Sequence, residues 1–188
     1  ILVIDLDPQG NATTGLGHSN VDGNEKNIYN ALNGSKNIPE IIQSTQIDNL
    51  DIITSNVDLS GLEVETAGDN GRAFILRDKL SLFLKQNSSN YSHVFIDCPP
   101  SLSLLTVMAL VASNSLIVPL QTEFFALEGL TQLVKTIERV KESLNSELSI
   151  RGIILTMYDK RNKLSSQVEK EARDYFKEKV YNTVIPRN

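Results

Sequence analysis

Ile1–Ile4 is an uninterrupted apolar run that leads into Asp5-Leu6-Asp7-Pro8-Gln9-Gly10, so a hydrophobic strand delivers two carboxylates into a polar turn. A run without alternation fits a strand covered on both faces, as in parallel sheets. Pro8 and Gly10 then stop the ladder. His93–Asp97, broken by Pro99-Pro100, has the same form, and Ser115–Leu120 is a third apolar strand. Leu50–Thr54, Ile150–Thr156 and Tyr181–Ile185 complete the predicted strands. Between them the apolar period lengthens to that of a helix. Arg72–Gln86 carries Phe74, Ile75, Leu76, Leu80, Phe83 and Leu84 at helical spacing, and Leu127–Leu144 gathers Leu130, Leu133, Ile137 and Val140 on one face. Leu102–Ala112 and Ser165–Lys179 also read as helices, with shorter candidates at Ile28–Leu32 and Ile38–Ser44. Asn87–Asn90 reads as a polar loop. Strand and helix alternate throughout. The pattern predicts an α/β fold, a mostly parallel sheet with helices on both faces, in a single domain over residues 1–188.

Composition narrows the class. The 188 residues are 40% apolar and 22% charged, ordinary for a globular protein. No run approaches the roughly 20 apolar residues of a membrane span, and no signal-peptide pattern is visible. The single cysteine, Cys98, cannot form an internal disulfide, which fits a reducing cytoplasm. Net charge is −5 but uneven: residues 1–134 hold 6 Lys/Arg against 15 Asp/Glu, and residues 135–188 hold 12 against 8. The basic later segment fits either solvated amphipathic helices or a face that meets phosphate. The chain as a whole is too acidic for a constitutive nucleic-acid binder.

The candidate chemistry sits at two strand ends. Asp7 and Asp97 each follow an apolar strand and each precede proline. In open α/β sheets, ligands bind at the carboxyl ends of the strands. An apolar strand ending in Asp is the general form of a Walker B segment, whose carboxylate acts on Mg²⁺ beside a nucleotide. Either Asp alone fits a turn equally well. Two such ends in one alternating fold favour a site.

Ile1–Gly17, with its Asp-Leu-Asp-Pro-Gln-Gly-Asn core, resembles the segment after the first helix of ParA/Soj-type ATPases, the deviant-Walker P-loop proteins of chromosome and plasmid partitioning. Further matches follow in the same order: Phe95–Ser101, Ile117–Gln121, Ala126–Leu130, Leu155–Asp159 and Val184–Asn188. The resemblance implies a P-loop NTPase architecture with ATP and Mg²⁺ as ligands. It implies that Asp7 positions or activates the attacking water, that Asp97 acts on Mg²⁺ through water with Asp7 nearby, and that Asp5 supports the strand and its connection. By the same resemblance Pro186, Arg187 and Asn188 line the adenine, and Met157 and Tyr158 border the base pocket, although both residues also fit plain packing. Glu123 and Glu128 fall in the region the family uses near its dimer interface. The implied activity is Mg-ATP-dependent homodimerisation and non-specific DNA binding in the cytoplasm at the nucleoid, reset when a ParB-type partner stimulates hydrolysis, with no membrane role. Arg161, Lys163, Lys170, Arg173 and Lys177 are the candidate DNA contacts, against a solvated face as the plainer reading.

The family's Lys-Gly-Gly-x-Gly-Lys-Thr loop has no counterpart here, since Gly15-Leu16-Gly17 and Gly68–Gly71 lack the following lysine. A truncation at both ends is therefore expected, with residues 1–188 inactive alone. Three alternatives are weaker. A MinD-like cell-division ATPase fits the Gln9-Gly10-Asn11 continuation less well. An aspartyl-nucleophile phosphatase would share Asp5-Leu6-Asp7 but not Pro8-Gln9. A non-catalytic binding module would not need both acidic positions.

Overall fold

In the computed structural model, which describes residues 1–19, 25–86, 91–123 and 126–187, the chain forms two compact units, Ile1–Ala112 and Ser113–Asn188. The Asn87–Asn90 loop and Asn188 lie outside the described residues.

The first unit is built on β1 (Leu2–Asp5), whose Leu2 and Ile4 are fully buried. After it come α1 (Asn11–Gly15), α2 (Ile28–Leu32), α3 (Ile38–Ile41), β2 (Gln43–Ser44), β3 (Asp51–Ile53), α4 (Leu62–Glu65), α5 (Ile75–Gln86), β4 (Val94–Asp97) and α6 (Leu104–Ala112). The sheet runs β2-β3-β1-β4, with β1 parallel to both neighbours and β2 an antiparallel edge. The candidate helix at Ile38–Ser44 therefore divides. A capping box between Asn37 and Glu40, with Pro39 in the first turn, starts α3, and Gln43 and Ser44 leave it to pair with Ile52 and Asp51. The Arg72–Gln86 helix also opens differently, as a 3₁₀ turn over Arg72–Phe74. On α5, Leu76, Leu80 and Phe83 form the buried face, while α6 is buried nearly all round. These side chains close over Leu2, Ile4, Leu6 and Ile53 as one core.

The second unit contains β5 (Ser115–Gln121), α7 (Ala126–Ser143), β6 (Ser149–Tyr158), α8 (Lys163–Phe176) and β7 (Val180–Pro186). Its three strands are parallel in the order β5-β6-β7. Val118, Leu120, Ile153 and Leu155 pack with Leu130 of α7 and Ala172 of α8. A methyl at Gly152 would meet the Tyr181 ring at 2.6 Å, so glycine is what lets that ring lie against β6. The predicted Ser165–Lys179 helix begins earlier, where the Asn162 side chain accepts from the Leu164 N–H, and ends at Phe176. Lys177 then takes φ 51, and a 3₁₀ turn carries Lys177–Lys179. Lys177 has left the helix, so it does not continue the face of Lys170 and Arg173.

Candidate functional site

In the first unit, the pairing of β1 with β4 brings the acidic strand ends together. Asp5 lies opposite Asp97 in register, and the Leu6 N–H donates to the Asp97 carbonyl at 2.7 Å. Asp5 is fully buried. Its Oδ1 accepts the Asp7 N–H at 3.1 Å, and its Oδ2 accepts both the N–H and the hydroxyl of Thr13 at 2.7 Å. Both oxygens are thus occupied. A buried carboxylate with three donors is a structural acceptor, not the exposed nucleophile that a phosphatase mechanism needs.

Asp7 is half-buried, and its Oδ1 accepts the Gln9 N–H at 3.0 Å. The Gly10 N–H closes the turn on the Asp7 carbonyl at 2.9 Å, with Gly10 at φ 64. Glycine is favoured there because the left-handed region penalises a Cβ. The second Asp7 oxygen meets no protein donor among the described residues and is open to water.

Asp97 is exposed at the end of β4. Partial burial first, then the negative charges of Asp5 and Asp7, push its carboxyl above the ordinary value of 3.8. The same causes, burial first and then Asp97 and Asp7, raise the neighbouring Cys98 thiol to about 11. It stays neutral and is a poor nucleophile. Among the described residues no three ligating side chains are grouped to hold a metal ion directly. The donor set nonetheless suits Mg²⁺, a hard cation that keeps its waters and needs only one or two carboxylates. A cation beside Asp97 would relieve the repulsion that raises its proton affinity.

Burial and, after it, the repulsion give Asp97 a pH signature. Because folding raises the Asp97 pKa, its contribution to stability is complete below 3.8 and is lost as pH rises through the folded value. We expect Asp97→Asn to stabilise the fold at pH 7 by an amount that solvent screening keeps within about 1 kcal/mol, and so to raise the melting temperature. The gain should vanish as pH falls towards 3.8. Thermal melts of both proteins across that range check it, and equal melting temperatures at every pH would contradict the raised proton affinity of Asp97.

The second unit holds a cleft of about 890 Å³ lined by Tyr158, Asp159, Lys160, Arg161, Val184, Pro186 and Arg187. The β6–β7 register builds it: Tyr158 lies opposite Pro186, and the Arg187 N–H donates to the Tyr158 carbonyl at 3.1 Å. Asp159 accepts Arg161 Nε on Oδ1 and Nη2 on Oδ2, each at 3.0 Å, and these bonds hold its carboxyl below the usual range. An apolar wall of Val184 and Pro186 facing charged and polar groups suits a flat ring with a hydrogen-bonding edge.

Of the predicted base-side residues, Pro186 and Arg187 line this cleft, while Met157 does not. Met157 is 40% exposed and sits at φ 52, an unfavourable region for a side chain of its size. Its carbonyl accepts from the buried Thr122 hydroxyl at 3.4 Å. Tyr158 donates its hydroxyl to Glu169, which also receives Arg173 at 2.9 Å. Arg173 is therefore engaged within the fold, and Arg161 is committed to Asp159. Lys163, Lys170 and Lys177 are exposed and have no ion-pair partner among the described residues. The residues that the sequence pattern left unassigned are Thr13, Asp159 and Lys160. The resemblance over Leu155–Asp159 reached Asp159, but nothing in the local pattern singled out Thr13.

Comparison with known proteins places this geometry. A family model described as an AAA domain matches residues 1–150. The chain is 49% identical over 188 residues to the chromosome partitioning protein ParA of Caulobacter vibrioides, covering 100% of this chain and 69% of that protein. This chain belongs to the ParA/Soj family. Another relative, the chromosome-partitioning ATPase Soj of Treponema pallidum, is 43% identical, with 100% of this chain and 71% of that one covered. Among solved structures, cobyrinic acid a,c-diamide synthase from Mycobacterium smegmatis with bound ADP and magnesium superposes with a TM-score of 0.88 at 33% identity, covering 100% of this chain and 74% of that one. The fold is thus the mostly parallel α/β fold of ParA-like P-loop proteins, and the synthase that shares it was solved with ADP and magnesium bound. No described helix is long and apolar enough to cross a membrane.

Proposed function

We propose that residues 1–188 serve as one nucleotide-binding domain of an ATP-driven partitioning switch. Mg-ATP promotes a homodimer that binds DNA without sequence preference, and hydrolysis, stimulated by a ParB-type partner, releases it. The observation that carries this reading is the β1–β4 pairing, which sets Asp97 opposite Asp5 and brings it within the field of the Asp7 charge, in a chain of this family. The implied compartment is the cytoplasm, at the nucleoid.

Within the chain, Asp7 has the free oxygen needed to orient a water and accept its proton. The Gln9 N–H and the Asp5 carboxylate fix the turn that holds Asp7. Asp97 would hold Mg²⁺ through water, with Asp7 nearby, and the bound ion would neutralise charge on the phosphates. Pro186 and Arg187, with the following Asn188, are assigned to the adenine, and Met157 to the border of that pocket.

DNA binding is assigned to the basic loop that carries Arg161, to Lys163, Lys170 and Arg173 of α8, and to Lys177 in the turn after it. The three lysines are the stronger members, since each arginine already holds a carboxylate. The test is ATP-dependent DNA binding by the full-length gene product over a series of salt concentrations. Replacing Lys163, Lys170 and Lys177 by glutamine should weaken binding and flatten the salt dependence by about 0.9 in log–log slope for each phosphate no longer neutralised. An unchanged slope would move the DNA surface elsewhere. No difference between ATP and ADP in the unaltered protein would overturn the switch.

A further inference from the structure

We infer that Thr13 is a positioning residue for Asp7, acting through the buried Asp5 carboxylate. The inference rests on Asp7 serving ATP hydrolysis as proposed above.

One carboxylate clasps both ends of the segment that carries Asp7. Asp5 holds the Asp7 N–H at the start of the turn and the Thr13 N–H and hydroxyl at its far end. The Thr13 hydroxyl oxygen in turn accepts the Ser55 N–H at 3.0 Å, from the chain just beyond β3. Asp5 and Thr13 are fully buried and Ser55 is 2% exposed, so water is a poor substitute for any of these partners. The hydroxyl is the only group in the cluster that both donates to the β1 carboxylate and accepts from the segment after β3.

The other bonds of the segment between the pins are local to it, from the Gln9 N–H to Asp7 Oδ1 and from the Gly10 N–H to the Asp7 carbonyl. Pro8 lacks an N–H. Gly10, in the left-handed region, provides no side-chain cap for α1. A five-residue helix without a side-chain cap is too short to hold itself. Thr14 adds only local bonds, its N–H and its hydroxyl both donating back to the Gly10 carbonyl, at 3.0 and 2.6 Å. The position of Asp7 relative to β1 therefore depends on the clasp, and losing the Thr13 hydroxyl would loosen the clasp at its far end.

Thr13→Val keeps the shape and removes the hydroxyl, whereas Thr13→Ser keeps the hydroxyl. Each is made in the full-length gene product and assayed for steady-state ATP turnover, for affinity towards a fluorescent ATP analogue, and for amide hydrogen exchange at Asp7, Gly10 and Thr13. The valine variant should lose about 10–100-fold in kcat, the range for a reacting group displaced by up to 1 Å. Its nucleotide affinity should stay within about twofold of wild type, as expected when an interaction needed only for the chemical step is lost. Exchange at Asp7 and Gly10 should quicken, and serine should restore both kcat and protection. Wild-type kcat and wild-type exchange in Thr13→Val would overturn the inference, as would a serine variant as impaired as valine. Should Thr13→Val not fold, Asp5→Asn weakens the same clasp from its other side and must show the same split between kcat and affinity. A wild-type protein that hydrolyses no ATP would remove the ATPase reading, and the exchange data would then decide the clasp alone.

Discussion

Replacing Asp7 by alanine is expected to lower ATP turnover by about 10²–10⁴-fold, the range over which a positioned general base contributes. Nucleotide affinity should be kept. The asymmetry follows from the turn. The Asp7 backbone is held by Asp5 and by the Gly10 N–H whatever its side chain, so truncation leaves the path of the chain in place. What disappears is one carboxylate with an oxygen open to water. The bond from the Gln9 N–H is also removed, but it is exposed and costs little. Single-turnover hydrolysis and equilibrium nucleotide binding, measured side by side, separate the two effects. Undiminished turnover would remove Asp7 from the mechanism.

Asp5→Ala should act on stability first. It strands the Thr13 N–H, the Thr13 hydroxyl and the Asp7 N–H, two of them fully buried. An unsatisfied buried donor costs about 1–3 kcal/mol, so a loss of about 3 kcal/mol is expected. That corresponds to a fall in melting temperature of roughly 6–12 °C for a chain of this size. One effect opposes it, because removing the Asp5 charge relieves the neighbouring Asp97. Asp97 is exposed and screened, so the relief stays within about 1 kcal/mol and the broken hydrogen bonds prevail. The Asp97 carboxyl should at the same time titrate closer to its ordinary value of 3.8. Thermal unfolding and a carboxylate titration followed by NMR check the two halves. An unchanged melting temperature would mean that Asp5 is not the structural acceptor described.

Most strands and long helices were readable from period alone, because burial imposes it. The unbroken apolar run before Asp97 became β4, and the seven apolar positions between Leu127 and Leu144 marked α7 to within a residue or two at each end. Short elements were readable only in part: α2 falls on its expected span, Ile28–Leu32, and α3 starts where expected, but others were missed. Helices α1 and α4 have five and four residues, too few for a 3.6-residue period to declare itself. The two residues of β2 are strand only because β3 lies beside them. The site divides in the same way. Asp7 and Asp97 stood out because each ends a strand, a local pattern. The clasp joins residues 8 and 42 positions apart, Asp5 to Thr13 and Thr13 to Ser55, so only the folded chain reveals it. Arg161 and Arg173 looked free in a basic stretch. Which acids would capture them depended on the turn after β6 and on the i, i+4 geometry of α8.

The central claim, that Asp7 is the hydrolysis-side carboxylate of an ATP-driven switch, has one most direct test. Sedimentation equilibrium of the full-length Asp7→Ala protein with Mg-ATP, with Mg-ADP and without nucleotide reads out the switch with its reset disabled. The prediction is a stable dimer with Mg-ATP alone, persisting for hours because ATP is not consumed, and monomer in the other two conditions. A mass that is the same in all three conditions would contradict it.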